Sequence, residues 1–316
     1  MADLTVSLPD DPGLAEALGE VPGIEFVSWN LDSPPPNEHI DIVVPPYWGG
    51  SERLDAIAQT ETRLVQWQSI GYDGVREHLP EGVPFANAAT VHEASTAELA
   101  VGLALAAQRG IAEFARDGAH KVWRLQHFPS LADRRVLLVG YGGIGKAIDA
   151  RLAGFEVSVT RLARSARESH DLFGRTVPVL GLADLGTRGL HEVLAESEVV
   201  IVAVPLGEST RRLFDAAALA AMPDGALLVN VSRGPVVDTT ALIAELHAGR
   251  LRAALDVTDP EPLPADHPLW DCPGLLITPH AGGDSSAMLP RMAALIKRQI
   301  EHLRAAQPFE NLIDLS

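Results

Sequence analysis

RVLLVGYGGIGKAIDARLAG, residues 135–154, decides the fold. Five residues of mostly apolar strand lead into Gly140-Tyr141-Gly142-Gly143-Ile144-Gly145, and a helical pattern follows at once. The spacing G-x-G-x-x-G means little alone; a strand before it and a helix after it give it meaning. The first glycine permits a tight turn, and the second lets the backbone approach a pyrophosphate. The third lets helix and strand pack closely, while the helix N-terminus offers free N–H donors to phosphate. A magnesium-dependent phosphate loop nearly fits, because Lys146 follows Gly145, but Ala147 stands where a Ser or Thr would hold the metal. The motif therefore reads as a dinucleotide site, with no metal expected.

Outward from this motif, apolar runs alternate with helical segments. Downstream come EVSVTR, SEVVIVAVP, GALLVNVS, LRAALDV and LLITPH; upstream come LTVSL, GIEFVSW, IDIVV, RLVQWQSI and VPFANA, with helices expected after Asp11, Ser51 and Asp73. Strands interleaved with helices imply mostly parallel sheets covered on both faces. The expected class is α/β, with two Rossmann- or flavodoxin-like doubly wound domains. The first spans 1–98 and is completed by a helix within 289–316; the second, dinucleotide-binding, spans 99–288. Capping-box spacing in Thr90-Val91-His92-Glu93 predicts a long helix opening at Thr90 and ending near Gly110. The segment from Asp117 to Arg135 reads as a connecting arm carrying Trp123, either packed in the core or reaching outward.

Composition narrows the partners. Lys plus Arg total 25 and Asp plus Glu 42, so 25 − 42 = −17, a field that repels nucleic acid and anionic membrane. Cys272 is the single cysteine, which permits no internal disulfide and suits a reducing compartment. The N-terminus lacks the pattern of a signal peptide, and no apolar run approaches the roughly 20 residues of a membrane span. A cytoplasmic enzyme of small molecules is expected.

In an NAD site, an acidic residue about 20 positions beyond the glycines binds the ribose hydroxyls. The count here ends on Arg161, with Arg164 and Arg167 following at a spacing that one helical turn would stack. A guanidinium cannot accept those hydroxyl bonds but suits a 2′-phosphate, which points to NADP, with NAD as the alternative.

Three further residues fall at strand ends of the same half: Arg233 in NVSRGPVVD, Glu261 in ALDVTDPEPLP after Asp256, and His280 in ITPHAGG. Reduction of a carbonyl by hydride leaves an alkoxide that needs a proton, and imidazole is its usual donor near neutral pH. A carboxylate on the other ring nitrogen keeps the His oriented, and a guanidinium grips a substrate carboxylate and polarises its carbonyl. Each residue alone has a bland reading as structural His, loop acid or helix-end charge. Their order and shared sheet edge favour the site.

With GYGGIG, NVSRGPVVD, ALDVTDPEPLP, HPLW, ITPHAGG, QSIGYDGV and TAELAVGLALA, the chain resembles the D-isomer-specific 2-hydroxyacid dehydrogenases over nearly its whole length. The resemblance implies Arg233 as substrate binder, His280 as acid/base, Glu261 as its partner and Asp256 as orienter of the nicotinamide amide. It implies that N–H groups of Ile70 and Gly71 bind the substrate carboxylate. It adds Gly143, Ile144, Pro205, Val231, Ser232 and Gly282 to the cofactor set, a cleft with hinges near 95–100 and 285–290, and a homodimer formed through the cofactor domain. Tyr47 and Trp48 either line the pocket for the substrate side chain or are surface aromatics. The aromatic loop and the small residues of SIGY favour glyoxylate- or hydroxypyruvate-like substrates. Thr258 and Asp259 depart from the family pattern. Formate chemistry is disfavoured, because that branch uses Gln where Glu261 stands, and the position of the glycine motif disfavours L-lactate and L-malate dehydrogenases. A phosphite dehydrogenase keeps the same three residues, as does a cofactor-sensing corepressor. With the sequence running to Ser316, a C-terminal regulatory domain of the kind some relatives carry is not expected.

Overall fold

The computed structural model describes residues 4–315, apart from the side chain of Arg188. Met1 to Asp3 and Ser316, the outer ends of the expected first domain, lie outside these. Residues up to His92 together with those from Gly283 onward form one compact unit, and Glu93–Gly282 form the other. The sequence reading puts these divisions at 98/99 and 288/289.

The first unit is built from β1 (Leu4–Leu8), α1 (Pro12–Leu18), β2 (Ile24–Ser28), β3 (Ile42–Val43), β4 (Leu64–Gln66), α2 (Val75–His78) and β5 (Phe85–Ala86). Its sheet has the order β2-β1-β3-β4-β5, and all four pairings are parallel. Asp11 starts α1 as expected: its carboxylate accepts the N–H groups of Gly13 and Leu14, and Pro12 occupies a first-turn position where its missing donor costs nothing. The segment after Ser51 is a 3₁₀ helix, Ser51–Gln59.

The second unit follows with α3 (Glu93–Gln108), α4 (Ile111–Ala119), β6 (Arg135–Val139), α5 (Gly143–Leu152), β7 (Ser158–Ala163), β8 (Arg167–His170), β9 (Thr176–Gly181), α6 (Leu182–Ala195), β10 (Val199–Val202), α7 (Ala216–Ala221), β11 (Leu227–Asn230), α8 (Thr239–His247), β12 (Arg252–Leu255) and β13 (Leu275–Ile277). Helix α3 begins three residues later than its capping-box pattern suggests. Thr90 has φ 78°, whereas a capping residue takes extended backbone, so the helix does not open at Thr90.

The sheet order is β13-β12-β11-β10-β6-β7-β9-β8. From β6 the chain steps outward one way through β7 and β9, and the other way through β10 to β13. The reversal lies between β6 and β10, where the carboxyl ends of an open α/β sheet leave a crevice for ligands. Central strands are apolar on both faces, with Val199 to Val202 fully buried, as a doubly covered parallel sheet requires.

Two features depart from the sequence expectation. The stretch expected to carry Arg164 and Arg167 on one helical turn is a turn leading into an antiparallel hairpin, β8 on β9. Asp171 closes the hairpin by accepting the N–H groups of Phe173 and Arg175, so local side-chain chemistry wins over a helical register. On the arm, Trp123 is 100% exposed and Leu125 94%, which rules out the core-packing reading of Trp123 within this chain.

The last helix, α9 (Met288–Arg304), closes the first unit. Its Met288, Met292, Leu295, Ile296 and Ile300 share a core with Val6, Leu14, Leu18, Ile42 and Leu64. No helix among the described residues is long and apolar enough to cross a membrane.

Candidate active site

The glycine loop is shaped as its spacing requires. Gly140 has φ 104°, and a Cβ there would lie 2.2 Å from the carbonyl oxygen of Ala203. A Cβ on Gly145 would lie 1.9 Å from the oxygen of Gly140, so these two glycines are fixed by close packing. Gly142 is different: a Cβ there would meet nothing within 4 Å. Bare backbone facing open space before the first turn of α5, where Gly143 and Ile144 sit, fits a pyrophosphate. A cavity of about 630 Å³ opens beside it, lined by Gly140, Gly142, Arg164, Arg167, Pro205 and Thr210 among others.

Arg161 does not lie at the end of its strand. β7 continues to Ala163, and Arg161 is turned onto α5, where Nε and Nη2 bond the two carboxylate oxygens of Asp149 at 2.8 and 2.9 Å. Tyr141, from within the glycine loop, donates its hydroxyl to the same carboxylate at 2.7 Å, and the Arg161 guanidinium lies 5.8 Å from the centre of its ring. Burial, with the bond to Asp149 next, pushes the Tyr141 phenol up to about 12. Burial opposes the Arg161 cation, but the Asp149 carboxylate outweighs it and holds its pKa above the ordinary value. The residue that follows the strand is Arg164, which is exposed on the cavity wall. Arg167 lines the same wall and reaches back to the Tyr141 carbonyl at 3.1 Å.

At the end of β11, buried Asn230 organises the turn that carries Arg233. Its Oδ1 accepts from the N–H and hydroxyl of Ser232 at 3.0 and 2.6 Å. Its Nδ2 donates to the Arg233 carbonyl at 3.0 Å. Val231 and Ser232 are buried in this turn. Arg233 Nη1 donates to the Ser232 carbonyl at 2.7 Å. A Cβ on Gly234 would lie 1.8 Å from the Thr258 carbonyl, so the Arg233 turn and the loop leading to Glu261 touch. Asn230 is absent from the sequence reading; an Asn at a strand end, two residues before a turn it can bond, was the available signal.

Asp256 does the same after β12. It is 2% exposed; Oδ1 accepts from Thr278 Oγ1 at 2.6 Å and Ala281 N at 2.9 Å, and Oδ2 accepts from Gly282 N at 2.9 Å. Its backbone carbonyl accepts the His280 N–H at 2.7 Å. His280 sits within this frame at φ 54°, a conformation that persists only where the surroundings impose it. Its Nδ1 is 2.5 Å from Glu261 Oε1. A carboxylate only accepts, so Nδ1 carries the hydrogen and Nε2 is left to exchange a proton.

In the first unit, Ile70 and Gly71 follow β4 in a half-buried bend, and their N–H groups have no acceptor among the described residues. Tyr47 is stacked on His92 with centroids 5.6 Å apart and meets Trp48 edge-on at 4.9 Å, Trp48 being 61% exposed.

Residues 101–282 match the family model of the D-isomer specific 2-hydroxyacid dehydrogenase NAD-binding domain. A glyoxylate reductase of Pyrococcus furiosus is 33% identical, over 79% of this chain and 76% of its own. The glyoxylate/hydroxypyruvate reductase B of Citrobacter koseri is also 33% identical, over 78% and 77%. Among solved structures, a D-isomer specific 2-hydroxyacid dehydrogenase of Xanthobacter autotrophicus, in complex with NADPH and MES, superposes with a TM-score of 0.79. It is 28% identical and is covered to 99%, against all of this chain.

Proposed function

The chain belongs to the D-isomer specific 2-hydroxyacid dehydrogenases, and from that premise we propose that it reduces small 2-oxo acids, glyoxylate or hydroxypyruvate in kind, with NADPH. It is an NAD(P)-dependent oxidoreductase with a Rossmann-like cofactor unit. The observation that carries the reading is the short His280–Glu261 bond on a turn framed by Asp256. When bound, the nicotinamide supplies the hydride. The chain's own work is to hold the substrate and move one proton: Arg233 grips the carboxylate and polarises the carbonyl, and N–H groups of Ile70 and Gly71 take carboxylate oxygen. His280 delivers the proton from Nε2 to the developing alkoxide and is left neutral, while Glu261 holds the Nδ1–H and with it the orientation of the ring. Tyr47 and Trp48 bound the substrate's side chain.

The adenosine side is assigned to the cavity beside the glycines, with Pro205 and Thr210 on its wall. The 2′-phosphate goes to Arg164 and Arg167 rather than Arg161, whose fork is already filled by Asp149. Following NADPH and NADH oxidation over 2-oxo acids from glyoxylate to phenylpyruvate tests the reaction. Turnover with none of them overturns it. Arg164→Ser should raise KM for NADPH by about 10- to 100-fold, the range of a lost charged hydrogen bond, and leave KM for NADH unchanged. Equal effects on both cofactors would remove the phosphate from Arg164.

The exposed arm, with Trp123 and Leu125 bare and Val122 partly so, is read as the contact of a homodimer through the cofactor unit, since so much apolar surface in one segment marks an interface. Light scattering should give twice 33.7 kDa, and Trp123→Ser with Leu125→Ser should lower the mass at micromolar concentration. A monomeric parent protein sinks this reading.

A further inference from the structure

The bend that follows β4 is held from behind. Four consecutive carbonyls each receive a hydrogen bond. His92 Nε2 meets the Gln68 oxygen at 2.6 Å, and Ala88 N donates to Ser69 at 2.9 Å. Asn87 Nδ2 donates to Ile70 at 2.8 Å, and Trp67 Nε1 donates to Gly71 at 2.9 Å. Three of these donors are side chains almost wholly buried, with Asn87 6%, Trp67 8% and His92 4% exposed.

The orientation of Asn87 is fixed, because its Oδ1 accepts the Ala89 N–H at 3.2 Å and so its amide nitrogen must face Ile70. Its backbone is fixed too: its carbonyl accepts from Gln66 Nε2, whose Oε1 accepts from Gln299 on α9.

A peptide's carbonyl and its neighbour's N–H point to opposite sides. Tying down the carbonyls of Ser69 and Ile70 therefore aims the N–H groups of Ile70 and Gly71, which have no acceptor among the described residues. Aimed backbone donors make an anion site, and donors that need not reorganise bind most strongly.

We propose that Asn87, which holds the Ile70 carbonyl and so aims the N–H of Gly71 in the same peptide, is a positioning residue for the substrate carboxylate. This rests on the reductase reading above.

Asn87→Asp keeps the shape and replaces the donor by an acceptor; Trp67→Phe, which frees the Gly71 carbonyl and so only the Tyr72 N–H of that peptide, is the control. Asn87→Asp should raise KM for the 2-oxo acid roughly tenfold, as expected for a lost buried hydrogen bond, and Trp67→Phe should leave it near the parent value. The KM for NADPH and the thermal midpoint of the cofactor unit should stay where they are, and kcat should change less than KM. Asn87→His, which restores an N–H donor, should recover part of the loss. In wild-type protein, titrated oxamate should shift the amide resonances of Ile70 and Gly71, a readout that needs no variant to fold. Normal acid KM in folded Asn87→Asp, or an equal loss in Trp67→Phe, overturns the positioning and leaves the reductase standing, as do oxamate shifts that miss the Gly71 amide. Absence of wild-type turnover overturns the reductase and the inference together.

Discussion

His280→Ala is expected to lower kcat by about 10² to 10⁴-fold, the usual worth of a placed general acid, while the affinity for NADPH stays within a few-fold. The argument is geometric. The imidazole is held by Glu261 at Nδ1, its backbone is held by Asp256, and that frame leaves Nε2 as the ring's proton-exchanging atom. Alanine removes the donor without removing the frame, because Asp256 bonds Thr278, Ala281 and Gly282 independently of the His280 side chain. Glu261→Gln should do less, since its amide oxygen still accepts from Nδ1. Steady-state rates with cofactor binding followed by fluorescence check both. A His280→Ala enzyme turning over near the normal rate would take His280 out of the proton path.

Asp149→Ala should cost about 3–5 kcal/mol, the range for breaking a buried ion pair by removing one partner. The Asp149 side chain is 4% exposed and that of Arg161 16%. The substitution strands a guanidinium and also orphans the Tyr141 hydroxyl, which donates to Asp149. The cofactor unit's melting midpoint should fall by on the order of 10 °C. Adding Arg161→Met should recover most of that, because an apolar pair of similar size is tolerated where a lone charge is not. A double variant no more stable than Asp149→Ala would refute the account. The same cluster sets a pH signature. The folded phenol lies at about 12, above its ordinary value of 10.0. Its contribution is therefore complete below pH 10 and is lost as pH rises toward 12. Denaturant titrations should show that alkaline loss in the parent protein, and a smaller one in Tyr141→Phe.

Much of this was legible in the chain because it depends on local order. The glycine motif lies between a strand and a helix, so its role follows from three spacings. Arg233, Glu261 and His280 follow strands of one sheet, so their grouping at one edge follows from parallel topology. Arg161 was misplaced because counting residues cannot say where a strand stops; β7 runs two residues further, and the next arginine inherits the strand end. The hairpin of β8 and β9 was missed because RESH is polar and its register is set by Asp171 in the turn rather than by any apolar period. Asn87 and Trp67 were invisible for a different reason. Their partners are backbone carbonyls, which leave no trace in residue identity.

The first unit is assembled from both ends of the chain, with α9 supplying Met292, Leu295, Ile296 and Ile300 to a core begun by Val6 and Leu14. On the ribosome this imposes a timetable. The contiguous cofactor unit can close as soon as β13 has emerged, whereas the N-terminal strands must wait, half covered, until α9 has followed it. Domains generally fold as units during synthesis, N-terminal first; here the order is reversed, and strands made before the cofactor unit mature after it.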